Sequence, residues 1–420
     1  MSVLVLVALA LLGVPLFVVI AAAALFIYWS AELNPSLAVM EFVRFAEYPE
    51  IAAVPMLAFC GVLILRSRLV ERFQELQRSI AGSIAVAGAV TSLLMFVLAG
   101  TLTGVSVLVV TAITAVVVRR HGEVSDGNRA DLRLIMTGLS VGALIAPSAT
   151  LLLFAVAASQ LAPGYAISPL KLYLAALLPA MLMLVVLGSM SIRPYWSFDR
   201  SATAAPHGQA VPAGVGLELP LPFVMIGAIY SGWLDILEAG LLATIWLTIA
   251  LVFIRGEVPP SKLPGIIADS IVWSAAVVLI FALSIVAAAA MSDTGMPQNL
   301  QSVLPPASAG VMYFWLALII SLLLIGMLLE TTAAIALTGP LLVPLALAVG
   351  IHPAHLGVVA VMALLGGQMV TSDTGEQGVS TNTRGGRSAL PRVAIAYPYI
   401  YFLMLAIVTI WPGLALWGQS

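Results

Sequence analysis

The chain has 420 residues, of which 62% are hydrophobic and 9% charged, and its formal net charge is −2. Average soluble domains carry about 25% charged residues, so this composition excludes an ordinary water-soluble fold. The single cysteine, Cys60, excludes an intramolecular disulfide. Apolar runs long enough to cross a hydrocarbon core of about 30 Å recur along the whole length, for example residues 4–28, 172–190 and 395–411. The sequence therefore predicts a multi-pass membrane protein that is not an enzyme.

Two groups of arginines predict the topology of the first half, because cytoplasmic loops collect Lys and Arg. They flank the apolar run 80–118 on both sides: Arg66, Arg68, Arg72 and Arg78 precede it, and Arg119, Arg120, Arg129 and Arg133 follow it. Both ends of the run are thus expected in the cytoplasm. This favours a re-entrant helical hairpin with its tip near residues 99–104 (AGTLTG), although two ordinary spans joined by a tight turn would also fit.

The second half shows the same pattern with the opposite orientation. Arg255 and Lys262 mark a cytoplasmic loop, whereas residues 291–310 and 350–357 contain no Lys or Arg and are expected in the periplasm. Between these periplasmic flanks lies the apolar run 311–349, interrupted at residues 330–332 (ETT). The second hairpin therefore opens to the face opposite the first.

These patterns predict an all-α polytopic membrane protein of two inverted repeats with re-entrant hairpins and discontinuous helices, similar to the ion-transporter superfamily. We place the protein in the bacterial inner membrane, with the N-terminus cytoplasmic and the C-terminus periplasmic. The predicted boundaries are 1–192 for the first repeat (hairpin about 80–118, broken helix about 134–160), 193–215 for a cytoplasmic linker, 216–233 for a connecting helix that crosses the membrane, and 234–420 for the second repeat (hairpin about 311–349, broken helix about 357–383).

Four predicted helix breaks carry the chemistry: the two hairpin tips, Ala146-Pro147-Ser148, and residues 371–375 (TSDTG). Lipid cannot satisfy free backbone groups, so a broken helix must line a cavity or bind a ligand. Freed carbonyls and Ser/Thr hydroxyls suit a small cation, and half-helix N-termini favour an anion. Any single break also fits a proline kink or close helix packing, for which Gly100 and Gly104 have the spacing.

Acidic and polar residues at these breaks are the candidate ligands, because a carboxylate at the bilayer centre costs about 2.5–3.5 kcal/mol on insertion scales. The candidate cation ligands are Gly100, Thr101, Thr103, Ala146, Ser148, Glu330, Thr331, Thr332, Thr371, Asp373 and Gly375. The candidate substrate contacts are Thr103, Ser148, Ser372, Asp373, Glu376, Gln377, Asn382 and Arg384.

Three stretches resemble the large membrane subunit of tripartite ATP-independent periplasmic (TRAP) transporters. They are residues 48–61 (YPEIAAVPMLAFCG), 229–240 (IYSGWLDILEAG) and 326–357 (GMLLETTAAIALTGPLLVPLALAVGIHPAHLG), and the similarity runs nearly end to end. The resemblance implies an elevator-type importer of small organic anions, mostly carboxylates, coupled to sodium. It also implies a small four-helix membrane subunit and a periplasmic substrate-binding protein as partners. Sodium ions at the tips and breaks are then the coupling ions, and no cofactor is expected.

The chain departs from the family at each of these motifs. Where the family has Ser-Gly-Ser, Pro-Pro-Ser, Asp-Pro-Thr and Thr-Pro-Pro-x-Gly, this sequence has Ala99-Gly100-Thr101, Ala146-Pro147-Ser148, Glu330-Thr331-Thr332 and Thr371-Ser372-Asp373-Thr374-Gly375. Proton coupling, or a zwitterionic or neutral substrate, is therefore the alternative to sodium-coupled anion uptake. Asp373 fits a cation ligand, a proton site or the N-cap of a following half-helix.

Overall fold

The computed structural model describes residues 13–45, 47–69, 72, 85–103, 138–192, 217–297, 299, 308–380 and 392–418. Within these ranges the chain is helical and contains no β-strand. The helices of the first half are α1 (Leu16–Ser30), α2 (Pro35–Phe45), α3 (Ala53–Arg66), α4 (Ala85–Thr103), α5 (Ala149–Leu161) and α6 (Pro169–Ile192). Those of the second half are α7 (Pro220–Tyr230), α8 (Ile236–Thr248), α9 (Leu263–Asp293), α10 (Ser308–Leu328), α11 (Thr331–Ala348), α12 (Pro353–Ser380), α13 (Arg392–Ile410) and the short α14 (Gly413–Leu416).

Seven helical stretches in the described part are long and apolar enough to cross a membrane. They are Pro49–Arg66, Pro169–Met190, Ile236–Ile254, Pro260–Asp293, Val311–Leu328, Thr331–Ala348 and Pro353–Val370. The first includes a 3₁₀ turn before α3, and the third includes a π-helical turn, Ile249–Ile254, that extends α8. The chain is thus an all-α polytopic membrane protein.

The connecting helix α7 is shorter than the sequence pattern predicts. It has 11 residues, and at 1.5 Å per residue these cover about 16 Å, roughly half of the hydrocarbon core. Pro220 begins it, and the chain turns at Gly232, whose φ of 75° suits a residue without a side chain. The helix therefore covers only residues 220–230 of the predicted connecting segment 216–233.

The centre of the bundle is formed by α5 and by the first part of α12. In Pro353–Val370, 94% of the residues are buried inside the protein, which excludes a position facing lipid. Helix α5 has 13 residues and is also largely buried. It packs against α11 and α12, while α9, with 31 residues, packs against α1, α3 and α11. A short, enclosed helix such as α5 can begin in the middle of the membrane without exposing its end to lipid.

In each half of the chain, two helical segments cross in backbone contact at glycine residues, and we call these two contacts the glycine crossings. In the first half, a Cβ on Gly100 of α4 would lie 2.6 Å from the carbonyl oxygen of Leu139, and a Cβ on Gly142 would overlap the carbonyl of Val97. In the second half, a Cβ on Gly326 of α10 would overlap the carbonyl of Leu364, and one on Gly367 of α12 would overlap that of Leu323. Gly100 thus corresponds to Gly326, which lies 226 residues later in the chain, and Gly142 to Gly367, which lies 225 residues later. The described parts of both halves thus share the same backbone-to-backbone packing.

A cluster of charged residues joins three segments of the chain at one end of the bundle. The Glu218 carboxylate, with none of its side chain exposed, lies 3.1 Å from Nη1 of Arg72 and 3.3 Å from Nε of Arg255. Arg72 also pairs with Glu257 at 3.2 Å, and Glu257 accepts a hydrogen bond from the backbone N–H of Arg68 at 3.0 Å. These residues follow α3, precede α7 and follow α8. We call them the Glu218 cluster.

Candidate ion and substrate site

Helix α5 begins at an interruption of the backbone, at the residues where the sequence predicts a break. Residues 138–142 are helical, residues 143–148 are not, and α5 resumes at Ala149. Ser148 caps α5, because its side-chain oxygen accepts from the N–H of Leu151 at 3.4 Å. Ala146 and Ser148 are both buried. The predicted ligands of the first break therefore lie inside the protein, at the start of a half-length helix.

The second tip has the same form. Helix α10 ends at Leu328, and α11 begins at Thr331 with Glu330 in extended conformation (φ −64°, ψ 142°) as its N-cap. Glu330 holds the N-cap position of α11, and its side chain makes no capping hydrogen bond there. A negative group at this position interacts favourably with the positive end of the helix dipole.

The starts of α5 and α11 meet in the interior of the protein. The Oγ1 atoms of Thr150 and Thr332 are 3.5 Å apart, and both side chains are buried. The neighbouring Thr331 is also buried, and its hydroxyl has no hydrogen-bond partner among the residues that the structure describes. A buried hydroxyl without a partner is energetically costly, which points to a ligand or water at this position. Hydroxyl oxygens can bind a small hard cation, and two convergent helix N-termini provide a favourable potential for an anion.

The end of α4 differs from the predicted first tip. Gly100 and Thr101 are helical, and the buried Thr101 hydroxyl donates to the carbonyl of Leu98 at 2.8 Å. Since α4 continues to Thr103, the backbone is not interrupted at residues 99–101. The reason is that Gly100 packs against Leu139 within a helix, as its counterpart Gly326 packs against Leu364. Gly326 precedes the second tip, so the counterpart of that tip lies after Gly100. With this spacing, the counterparts of residues 330–332 are residues 104–106, which lie outside the described residues.

The structure contradicts the predicted helix break at residues 371–375, because the backbone there is helical. Helix α12 continues from Pro353 to Ser380 and includes Thr371, Ser372, Asp373, Gly375, Glu376 and Gln377. No proline occurs in this stretch, so no backbone donor is lost and the helical hydrogen bonds can continue. Asp373 is therefore inside a helix and does not cap one. Asn382 and Arg384 lie outside the described residues.

Comparison with known proteins agrees with this architecture. Residues 3–370 match the family described as the tripartite ATP-independent periplasmic transporter, DctM component. The chain belongs to this family. It is thus a transporter subunit and not an enzyme.

Two curated relatives of this TRAP subunit illustrate the range of the family. The chain is 24% identical over 380 residues to the C4-dicarboxylate TRAP transporter large permease protein of Pseudomonas aeruginosa, covering 88% of this chain and 86% of that protein. It is 25% identical over 386 residues to the sialic acid TRAP transporter large permease protein of Vibrio cholerae, covering 87% and 84%. Among solved structures it is similar in fold to the YdaH transporter of Alcanivorax borkumensis, with a TM-score of 0.57, 16% identity and coverage of 90% and 87%.

Three residues that contact the two helix starts were not among the sequence candidates: Thr150, Tyr173 and Tyr230. Thr150 lies two residues after Ser148 in an apolar run, and this position alone could have indicated it. The tyrosine hydroxyls bond to the first break, as described below, but nothing in their own sequence neighbourhood specifies that contact. Only the packing of α6 and α7 brings them there.

Proposed function

We propose that the chain imports a small organic anion of the carboxylate class across the inner membrane by an elevator-type movement coupled to the sodium gradient. Its N-terminus is cytoplasmic and its C-terminus periplasmic. A periplasmic binding protein delivers the substrate, and a small four-helix membrane subunit completes the transporter. The observation that carries this proposal is the meeting of the α5 and α11 starts at Thr150, Thr331 and Thr332.

Sodium coupling is supported by the donors present at this meeting point. The Thr331 hydroxyl, which has no partner in the described part of the chain, and the Glu330 carboxylate are oxygen ligands of the kind that a small hard cation requires. A bound cation would also offset the repulsion between Glu330 and an anionic substrate. If two sodium ions accompany a monoanion, one net positive charge enters per cycle, and a potential of 100 mV then contributes about 2.3 kcal/mol.

A carboxylate substrate is supported by the relatives, whose names specify C4-dicarboxylate and sialic acid, both of which carry carboxylates. The N-termini of α5 and α11 provide backbone N–H groups and a positive potential for such a group.

An elevator-type movement is supported by the packing of the elements around the site. The glycine crossings bring α4 against residues 138–142, and α10 against α12, at backbone distance. Elements in such close contact move together more readily than they separate. This favours rigid-body displacement of the whole site over local opening.

The test is uptake of radiolabelled succinate, a C4-dicarboxylate, into proteoliposomes that contain the chain and its small membrane subunit, with the binding protein outside. We expect uptake that requires an inward sodium gradient and falls to background without the binding protein. Uptake driven by a proton gradient with sodium absent would instead establish the proton-coupled alternative. Rapid uptake by the chain alone would contradict the requirement for partners.

A further inference from the structure

The first helix break has buried backbone groups whose partners come from two tyrosines. The carbonyl of Ser148 accepts a hydrogen bond from the hydroxyl of Tyr173 on α6 at 3.0 Å. The N–H of Ala146 donates to the hydroxyl oxygen of Tyr230, the last residue of α7, at 3.4 Å. Ala146, Ser148 and Tyr173 are all buried. Without the Tyr230 hydroxyl, the N–H of Ala146 would lack a partner among the described residues, and without the Tyr173 hydroxyl the Ser148 carbonyl would lose one of its two hydrogen bonds. Each loss is unfavourable in a water-poor interior.

The two tyrosines are also connected to each other. The Tyr230 hydroxyl donates to the backbone carbonyl of Tyr173 at 3.4 Å, while it accepts from Ala146. One hydroxyl therefore bridges the break and α6. Because Tyr230 ends α7 and Glu218 lies just before that helix, α7 connects the break with the Glu218 cluster.

The hydrogen bonds also determine which atom of Ser148 remains available to a ligand. Its carbonyl already accepts from the N–H of Leu152 at 3.0 Å in addition to the Tyr173 hydroxyl. A carbonyl oxygen has two lone pairs, and both are used here. The side-chain hydroxyl accepts one long hydrogen bond, from Leu151, and retains capacity for a further contact. A cation at this break would therefore contact the hydroxyl of Ser148 and not its carbonyl.

We propose that Tyr173 and Tyr230 are positioning residues that hold the first break in the conformation required to bind the coupling ion. Tyr173 fixes the carbonyl of Ser148 and thereby orients its hydroxyl, and Tyr230 attaches the break to α6 and α7. The sodium measurement in the test below rests on the proposed function, whereas the hydrogen-exchange measurement does not.

The experiment compares Tyr173→Phe and Tyr230→Phe in the complete transporter. Tyr399→Phe is the matched control, because Tyr399 lies on α13 with 66% of its surface exposed. We expect Tyr173→Phe to raise the half-saturating sodium concentration about tenfold with the maximal rate largely retained, and Tyr230→Phe to raise it about threefold because its hydrogen bonds are longer. The control is expected to stay within about twofold of the unmodified protein.

Amide hydrogen exchange of purified protein provides the second readout, through peptides that cover residues 143–152. Both tyrosine variants are expected to exchange faster there, with no change in peptides from α13. An unchanged exchange rate in both variants would overturn the proposal. So would an unchanged sodium dependence in both variants of a transporter that does require sodium.

A transporter that shows no sodium dependence in its unmodified form would contradict the proposed function, and the exchange measurement would still decide whether the tyrosines hold the break. If Tyr173→Phe does not fold, Tyr230→Phe carries the test by itself, since it leaves the bond between Tyr173 and Ser148 in place. Normal exchange and sodium dependence in that variant would then overturn the proposal.

Discussion

Glu330 brings a carboxylate to a helix start that would otherwise favour an anion. It stands at the N-cap of α11, where this helix approaches α5. In the family motif this position is Asp, so the longer side chain retains the charge and extends its reach. The local potential for a substrate anion therefore depends on whether a cation is bound next to Glu330.

Replacement of Glu330 by Gln tests this dependence. The amide retains a carbonyl oxygen but removes the charge, so we expect the half-saturating sodium concentration to rise at least about tenfold, equivalent to about 1.4 kcal/mol. Glu47→Gln, which removes an exposed carboxylate, is the control. Uptake by both variants is measured against sodium concentration, and an unchanged sodium dependence in Glu330→Gln would exclude a direct contact.

Asp373 has a different environment, because the backbone around it is helical. Since it does not cap a helix, the cation-ligand and proton-site hypotheses remain. A ligand role predicts that Asp373→Asn raises the half-saturating sodium concentration about tenfold. A proton-site role predicts that Asp373→Asn abolishes the pH dependence of uptake and leaves the sodium dependence intact. Uptake measured against sodium and pH in the Asn and Ser variants separates them, and unchanged profiles in both would remove Asp373 from the site.

At the scale of secondary-structure elements, the sequence predicts an interruption correctly where a strong local signal is present. Pro147 with Ser148 ends one helical segment and caps the next, and the polar residues 330–332 interrupt an apolar run. At residues 371–375 the prediction relied on polarity and glycine alone, and neither removes a backbone hydrogen bond, so the helix continues. Residues 99–101 had glycine and threonine as their signal, but Gly100 is required there for a helix crossing.

Other contacts cannot be predicted from one sequence, because they depend on how distant segments pack. The pairing of Thr150 with Thr332 joins residues from different halves of the chain. Asp235 and Glu238, by contrast, form a capping box at the start of α8, with hydrogen bonds of 2.8 and 2.9 Å. That role follows from their spacing of three residues.

The glycine crossings predict a sharp difference between two Gly→Ala substitutions. At Gly367 the added methyl group would overlap the carbonyl of Leu323, so α10 and α12 would have to separate. We expect uptake to fall at least tenfold and the protein to lose about 1–3 kcal/mol of stability. At Gly227 of α7 nothing lies within 4 Å, and alanine there is expected to be neutral or to stabilise the helix by up to about 1 kcal/mol. Thermal unfolding in detergent measures both variants, and equal melting temperatures would contradict close packing at Gly367.

The Glu218 cluster offers a similar comparison between buried and exposed ion pairs. In Glu218→Ala, Arg72 and Arg255 lose a shared, fully buried partner, which is expected to destabilise the protein by about 3–5 kcal/mol. Asp269→Ala removes the partner of Arg66, but in this pair 64% and 56% of the side-chain surfaces are exposed, so a loss below about 1 kcal/mol is expected. Chemical or thermal unfolding of the two variants should separate them clearly. Similar losses in both would indicate that water reaches the cluster.

At the scale of the whole molecule, three of the described arginines that predict the cytoplasmic face, Arg66, Arg72 and Arg255, take part in ion pairs between the two halves or within this end of the bundle. Arg66, the last residue of α3, pairs with Asp269 of α9, and Arg72 shares the carboxylate of Glu218 with Arg255 of the second half. This proximity agrees with one common side for the two loops. Which side faces the cytoplasm stays a prediction from the distribution of Lys and Arg.

Thiol labelling in intact cells tests the orientation and the first hairpin. Single cysteines at Ser79 and Gly122, introduced in a Cys60→Ala background, are both expected to resist a reagent that cannot cross the inner membrane. A cysteine at Ser292, near the end of α9, is expected to react, because that end is predicted to be periplasmic. Labelling of Ser79 and Gly122 from opposite sides would contradict the re-entrant hairpin, because both ends of a hairpin lie on the same side of the membrane.

The position of Glu218 has a consequence for how the two halves recognise each other. It follows the linker 193–215 almost directly, and it pairs with Arg72, which is encoded in the other half. The halves are thus joined by a buried charge contact and by the packing of α5 on α11, in addition to the peptide chain. A gene divided within the linker should therefore yield two fragments that assemble in the same membrane into a working transporter.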